Sequence, residues 1–378
     1  MSMEMLKETY LIPKLPLPYD LETKAVLKQL IQSHRQLAEL KSMARTIPNE
    51  HILVSTLTLQ EAQDSSEVKN IVTTQDDLYK AGLDLKEKMM TPAAKEVLNY
   101  REAITIGFEL LKQKHFLTNN VIKDIQERLE HNQAGFRTVP GTKLEDERKH
   151  VIYVPPQDGE FIKQAMDNLE AFINNDAISD LDPLIKMAII HHQFESIHPF
   201  YNGNGRTGRI VNILYLVATG LLDYPILYLS RYITHHKGEY YRLIQCIRDK
   251  EGDSSAEWEQ WVLFILKGVE KTAAEAIILI GEIGRLMNEY KQTLRHIFGK
   301  QYKHELLNNL FSHPYTKVGF VEHDLMLTNK TASRYLDKIV KAGLLEKKKA
   351  GRENYYINTH LLELFINIGI DESRQKSG

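Results

Sequence analysis

Ile197-His198-Pro199-Phe200-Tyr201-Asn202-Gly203-Asn204-Gly205-Arg206-Thr207-Gly208-Arg209-Ile210 places a glycine-interleaved turn, Asn202 to Gly205, directly ahead of a helix that begins near Arg206. Glycines let consecutive backbone N–H groups point into one concavity, and a helix N-terminus adds partial positive charge. Arg206 and Arg209 lie three apart, so both guanidinium groups leave the first helical turn on neighbouring faces. The pattern predicts a polyphosphate cradle with two formal positive charges. His198 stands just upstream, where an imidazole can take a proton from an incoming hydroxyl beside bound phosphate. A plain loop with two surface arginines would account for a lone Gly-Asn-Gly, but not for the histidine and both arginines at these offsets.

Around this stretch the helical period dominates. Leu21 to Ala44, Ser55 to Val68, Thr91 to Lys114, Thr118 to Leu129 and Gly159 to Asn174 read as amphipathic helices. Asp182-Pro183 opens another, with proline in the first turn, and further helices are expected at Thr207 to Thr219, His236 to Arg248 and Ala256 to Phe298. Two stretches break the pattern. Leu11 to Tyr19 holds Pro13, Pro16 and Pro18 and suits an extended arm. Gly135 to Gly159 surrounds the β-like run His150 to Val154, the likeliest hairpin of this region.

At 378 residues the chain should hold about 2.5 domains. With 43% apolar and 26% charged residues it reads as an ordinary globular chain. Charges of 48 Lys+Arg against 50 Asp+Glu leave −2, so any basic partner surface must be local. The single cysteine, Cys246, excludes an intrachain disulfide framework and multi-cysteine zinc sites. Met1 to Tyr10 lacks the apolar core of a signal peptide and no run suits a membrane span, so a cytoplasmic protein is expected. His191, His192 and Glu195 invite a metal reading, but no third ligand has suitable spacing, and a hydrogen-bonded core histidine is the stronger expectation.

The 198–209 string resembles the signature of the Fic family ("filamentation induced by cAMP"), His-x-Phe-x-(Asp/Glu)-Gly-Asn-Gly-Arg-x-x-Arg. Ala188 to Ile197 resembles the family's preceding helix, Gly135-Phe136-Arg137 and the strand to Val154-Pro155-Pro156 its flap, and Tyr228 to Tyr241 with Trp258 its following helices. Similarity covers roughly residues 10 to 290. It implies a mainly α fold: a helical Fic core with a small β-hairpin flap, here followed by a winged helix-turn-helix. Expected boundaries are 1–112 for an N-terminal helical region with an inhibitory-helix-like segment, 113–298 for the catalytic core and 299–370 for the winged helix.

The activity implied is transfer of AMP from ATP, with Mg²⁺, to a Ser, Thr or Tyr hydroxyl of a target protein, itself included. By the resemblance His198 would be the general base and Phe200 a core anchor. Asn204 with the backbone of Gly203 and Gly205 would form the anion hole, and Arg206, Thr207, Gly208 and Arg209 would complete the phosphate site. Tyr240 would line the nucleoside pocket, and Ile152, Tyr153 and Val154 would register the target segment by main-chain pairing.

Two departures from the family pattern stand out. Asn202 replaces the acidic metal ligand, so Mg²⁺ would meet a neutral amide oxygen. Relatives carry Ser-x-x-x-Glu-(Gly/Asn) on a helix ahead of the core, whose glutamate pairs with the second motif arginine and blocks the ATP γ-phosphate. Here Ser65 fits, but Lys69 takes the glutamate position, which implies a lost brake and argues against the reverse reaction.

From about residue 301 short helices are expected at Tyr302–Leu310, Lys317–Asp324 and Asn329–Lys341, then a hairpin around Lys349 to Arg352. Residues 301–360 hold ten Lys+Arg against six Asp+Glu, or +4. Lys330, Arg334, Lys338 and Lys341 share one face of the third helix, Thr328 would cap it, and Lys348 and Arg352 sit at the hairpin. Both basic sites match where a winged helix meets DNA, although such a tail can also merely pack or mediate association. The expected partners are thus a hydroxyl-bearing target protein, DNA, and a second copy in a homodimer, with no membrane. The second function carried forward is a DNA-binding transcriptional regulator with a nucleotide-binding, weakly active Fic core.

Overall fold

Helix boundaries follow local chemistry in this chain. Thr118 caps Asn119–Glu130 by accepting from Val121 N–H, and Asp182 caps Pro183–Ile197 by accepting from Leu184 N–H, with Pro183 in the first turn. A computed structural model describes residues 10–68, 91–146, 148–312, 314–350 and 353–367. Among these, α1 (Lys24–Ala44), α2 (Glu50–Glu67), α3 (Pro92–Lys114) and α4 (Asn119–Glu130) precede a two-stranded antiparallel flap, β1 (Leu144–Glu145) and β2 (Val151–Tyr153). Then follow α5 (Gly159–Asn174), α6 (Pro183–Ile197), α7 (Asn204–Ala218), α8 (Leu229–His235), α9 (Lys237–Asp249) and the long α10 (Ser255–Phe298). The fold is mainly helical, as expected.

The chain divides into two compact units: the described parts of residues 1–38, 64–70 and 99–273, and those of 39–63, 71–98 and 274–378. In the first unit α6 is the central helix. Thirteen of its fifteen residues are buried, which suits a helix apolar almost all round. It packs on α7, and Gly208 permits the approach: a Cβ there would lie 3.0 Å from Phe194 Cδ1. Trp258 and Trp261 close the other side of α6. Trp261 donates from Nε1 to Ala188 O at 2.8 Å, and Trp258 meets the His192 ring edge-on. Each indole removes about 150–250 Å² from water, roughly 4–6 kcal/mol at 25 cal/mol per Å². The proline-rich arm forms neither helix nor strand and bends at residues 15–16 and 18–19, and side-chain amides hold it. Asn168 brackets Leu15 through both Leu15 N–H and C=O, and Gln193 donates to Pro13 O.

In the second unit the order is α11 (His304–Ser312), β3 (Tyr315–Lys317), α12 (Val318–Leu325), α13 (Asn329–Lys341), β4 (Glu346–Ala350), β5 (Glu353–Ile357) and α14 (Thr359–Asn367). The sheet is antiparallel with strand order β3-β5-β4. Helix α13 buries Ala332, Tyr335, Leu336 and Ile339, and Thr328 caps it. Asn358 ties the unit together: its amide donates to Leu310 O, while its Oδ1 accepts from Tyr290 O–H and Leu361 N–H. No described helix is long and apolar enough to cross a membrane.

Candidate active site

The site begins at the junction of α6 and α7. Helix α6 ends with His198 in the left-handed region (φ 50°, ψ 58°), its N–H donating to Phe194 O at 2.9 Å. The chain then turns through Pro199 to Gly203, where φ is +82°, a conformation that glycine adopts without strain. Helix α7 starts at Asn204, two residues earlier than the glycines suggested. Asn204 is the reason. Its Oδ1 accepts from Phe200 N–H and its Nδ2 donates to Phe200 O, both at 2.8 Å, so one amide closes the turn from inside. The Asn204 side chain is therefore committed to the turn, through both polar atoms of its amide.

A cavity of about 210 Å³ opens here, lined among others by His198, Asn202, Gly203, Asn204, Gly205, Arg209 and Tyr240. Ten residues separate His198 from the far side of the motif in sequence, yet one concavity holds the imidazole, the glycine turn and the second arginine. Arg209 is 3% exposed. Its Nε donates to Ser65 Oγ at 2.8 Å and its Nη2 to Ser65 O at 2.9 Å, at the C-terminal end of α2. Burial alone would lower the Arg209 pKa, but Tyr100, Tyr240 and the Glu195 carboxylate outweigh it and hold it above its ordinary value. Ser65, from the inhibitory-helix-like segment, thus contacts Arg209 directly. Lys69 lies outside the described residues.

Arg206 goes elsewhere. It is absent from the cavity wall and pairs at 2.5 Å with Glu130, the last residue of α4, with only 5% and 17% of the two side chains exposed. Expected phosphate contacts from both arginines thus divide in this structure: Arg209 faces the cavity, and Arg206 secures the outer side of the turn against α4. Thr207 and Gly208 are buried where α7 meets α6 rather than in the cavity wall.

Tyr240 is buried, and burial, reinforced by Glu195, pushes its phenol well above its usual value. It shares a 2.8 Å hydrogen bond with His191 Nε2. Burial, with Arg209 nearby, lowers His191 to about 3, so this imidazole stays neutral. His191 stacks on Trp261, and His192 lies 3.3 Å from Ile244 O through Nε2. Both are core histidines, and among the described residues no cluster of His, Cys, Asp or Glu could hold a metal ion.

The flap strand is partly buried. Burial does not alternate along β2: Val151 and Ile152 are exposed, while Tyr153 is fully buried and Val154 nearly so. Tyr153 donates to Ser196 O at 2.7 Å and carries the Arg248 guanidinium 3.8 Å above its ring. Of the three residues expected to pair with a target segment through the main chain, Ile152 has an exposed side chain, and Tyr153 and Val154 anchor the strand to the core. In the second unit Lys330, Arg334, Lys338 and Lys348 are exposed, and Arg352 lies outside the described residues.

Three participants were not legible beforehand. Glu130 stands 76 residues from its arginine and carries no local signal. Glu195 has a metal reading in sequence, and its carboxylate instead lines the cavity and acts on Arg209. Arg137 carries no local signal of a role, yet it is fully buried against the end of α6. A larger open cleft of about 810 Å³ between Thr118 and Glu170 contains none of the motif residues.

Comparisons with known proteins agree with this geometry. Residues 27–109 match the Fic/DOC family N-terminal model, residues 116–216 the Fic/DOC family model, and residues 286–361 the C-terminal domain described as protein adenylyltransferase SoFic-like. A protein adenylyltransferase Fic of Drosophila erecta is 30% identical over 155 residues, covering 40% of this chain and 28% of that protein. Its Drosophila mojavensis counterpart is 28% identical over 166 residues, covering 43% and 29%. The chain therefore spans less than a third of the length of these curated relatives. Among solved structures, a Fic family protein from Desulfovibrio desulfuricans G20 superposes with a TM-score of 0.55 at 20% identity, covering 90% of this chain and 97% of that one. Fic-1 from C. elegans superposes with a TM-score of 0.51 at 19% identity, covering 67% and 72%. At such identities the structures speak to fold, and fold, motif and the three successive family matches converge: the chain belongs to the Fic/DOC family.

Proposed function

We propose that this protein is an adenylyltransferase that moves AMP from ATP to a Ser, Thr or Tyr hydroxyl of a target protein. The observation that carries the reading is the single cavity uniting His198, the Gly203–Gly205 turn and Arg209. His198 takes the hydroxyl proton as the oxygen bonds to the α-phosphorus, and the bond to pyrophosphate breaks. The N–H groups at the start of α7 hold the charge that develops on the α-phosphate, and Arg209 attracts the outer phosphates. The neutral Asn202 side chain, exposed at the cavity rim, fits a magnesium ion only as one auxiliary oxygen ligand, the rest coming from phosphate and water. Such an ion would neutralise phosphate charge.

Incubation with α-labelled and γ-labelled ATP, on its own and with cell lysate, tests this. Label from the α position, absent with γ-label and lost in His198→Ala, is the expected result. Equal labelling by wild type and His198→Ala would sink the reading.

A second reading, a DNA-binding regulator, draws on the exposed row Lys330, Arg334 and Lys338 along α13, followed by the β4–β5 hairpin bearing Lys348. Three helices and a hairpin in this order suit a winged helix, whose third helix enters the major groove. A shift of its own promoter fragment that weakens with salt and in Lys330→Ala/Arg334→Ala is expected; an unchanged shift in the double variant counts against it.

A further inference from the structure

We propose that Arg137 is a positioning residue for His198, holding the imidazole in line by capping the end of helix α6. This rests on reading His198 as the base. The last carbonyls of a helix have no intrahelical partner, and His198 follows α6 in a left-handed conformation that non-glycine residues adopt at a cost. Something outside the helix must satisfy those carbonyls and hold that backbone.

Four consecutive carbonyls, Ser196 to Pro199, each accept from one flanking segment. Tyr153 O–H donates to Ser196 O at 2.7 Å, Arg137 Nη2 to Ile197 O at 3.2 Å and Arg137 Nε to His198 O at 2.7 Å. The backbone N–H of Arg137 donates to Pro199 O at 2.8 Å. Three of the four thus depend on one residue. The planar fork of a guanidinium can address two successive carbonyls at fixed separation, which an ammonium cannot. Its positive charge also meets the negative end of the α6 dipole. Arg137 has no exposure and does not line the cavity, which fits a positioning role. Its neighbour Phe136 packs on Phe200 with ring centroids 5.3 Å apart, anchoring the same segment to the motif. By orienting the His198–Pro199 peptide, Arg137 sets where the His198 side chain leaves the backbone.

The test compares wild type, Arg137→Ala and Arg137→Lys in the full chain. A base displaced by about 1 Å loses roughly 100-fold in rate, so kcat for Arg137→Ala should fall by about that factor while the KM for ATP is nearly unchanged. Arg137→Lys should recover only part of kcat, and added guanidinium at sub-denaturing concentration should restore Arg137→Ala but not His198→Ala. Unchanged kcat, or losses of kcat and ATP affinity together with no rescue, would overturn the proposal. If Arg137→Ala does not fold, Arg137→Lys decides: full wild-type kcat defeats the idea. A readout independent of catalysis is the His198 imidazole resonance, assigned by difference from His198→Ala. It should move in Arg137→Lys, and an unmoved resonance counts against positioning. A wild type without His198-dependent labelling defeats the transferase reading alone.

Discussion

Asn204 makes the sharpest energetic prediction. Its side chain is 2% exposed and satisfies both the N–H and the C=O of Phe200 at 2.8 Å. Asn204→Ala removes both partners and strands two main-chain groups. A buried polar group left without a partner costs about 1–3 kcal/mol. The neighbouring Tyr201 and Asn202 are exposed, so we take the lower half of that range, giving about 2–4 kcal/mol for the pair. Asn204→Asp keeps the acceptor but faces a carboxylate oxygen toward Phe200 O, so it should cost at least as much as losing one bond. Both tryptophans, Trp258 and Trp261, lie in the first unit, so their fluorescence in urea follows that unit's unfolding. At a slope of about 2 kcal/mol per M, the midpoint should drop by about 1–2 M in Asn204→Ala. A midpoint within about 0.3 M of wild type, with ATP binding lost, would refute the reasoning, because the side chain would then act on the ligand and not on the turn.

Other outcomes are equally direct. The hydrogen bond that Asp182 accepts from the His34 ring, opposed by burial, raises the His34 pKa, and the two meet at 2.8 Å. A raised folded-state pKa gives stability that is full below the unfolded value of about 6.5 and lost as pH rises through the folded value. Melting followed by tryptophan fluorescence should therefore decline across that window, and Asp182→Asn should flatten the decline. An equally steep decline in Asp182→Asn would exclude this pair as its cause. Arg209 is gripped by Ser65, four residues before Lys69 in sequence; on the proposed reading, in which Arg209 attracts the outer phosphates, Lys69→Glu should lower the rate of labelling from α-labelled ATP. An unchanged rate would show that position 69 controls nothing. Gly208→Ala places a Cβ 3.0 Å from Phe194 Cδ1, and overpacking of about 1–3 kcal/mol should outweigh the roughly 1 kcal/mol gain in helix propensity. A raised midpoint would mean that α6 and α7 yield freely.

Much of the fold was readable because its signals are local. Asp182-Pro183 and Thr118 start helices through bonds to residues two or three positions on, and Thr328 does the same for α13. The exceptions depended on distant partners. Helix α14 follows Asn358, whose amide is held by Tyr290 and Leu310, and β3 exists only through its pairing with β5. Helix α7 began early because Asn204 reaches back to Phe200, a bond that the two glycines conceal.

The sequence by itself determined the chemistry available between His198 and Arg209, since residue type and helical spacing suffice to predict an imidazole beside an anion-binding turn. What it could not determine is how the two arginines divide their work. Helical geometry sends Arg206 and Arg209 to adjacent faces with equal prospects. Only packing brought Glu130 against one and Ser65 against the other, across 76 and 144 residues. The same holds for Arg137, whose guanidinium meets the end of α6 from 60 residues away. A buried guanidinium goes where unsatisfied carbonyls or a carboxylate await it, and those positions exist only once the chain has folded.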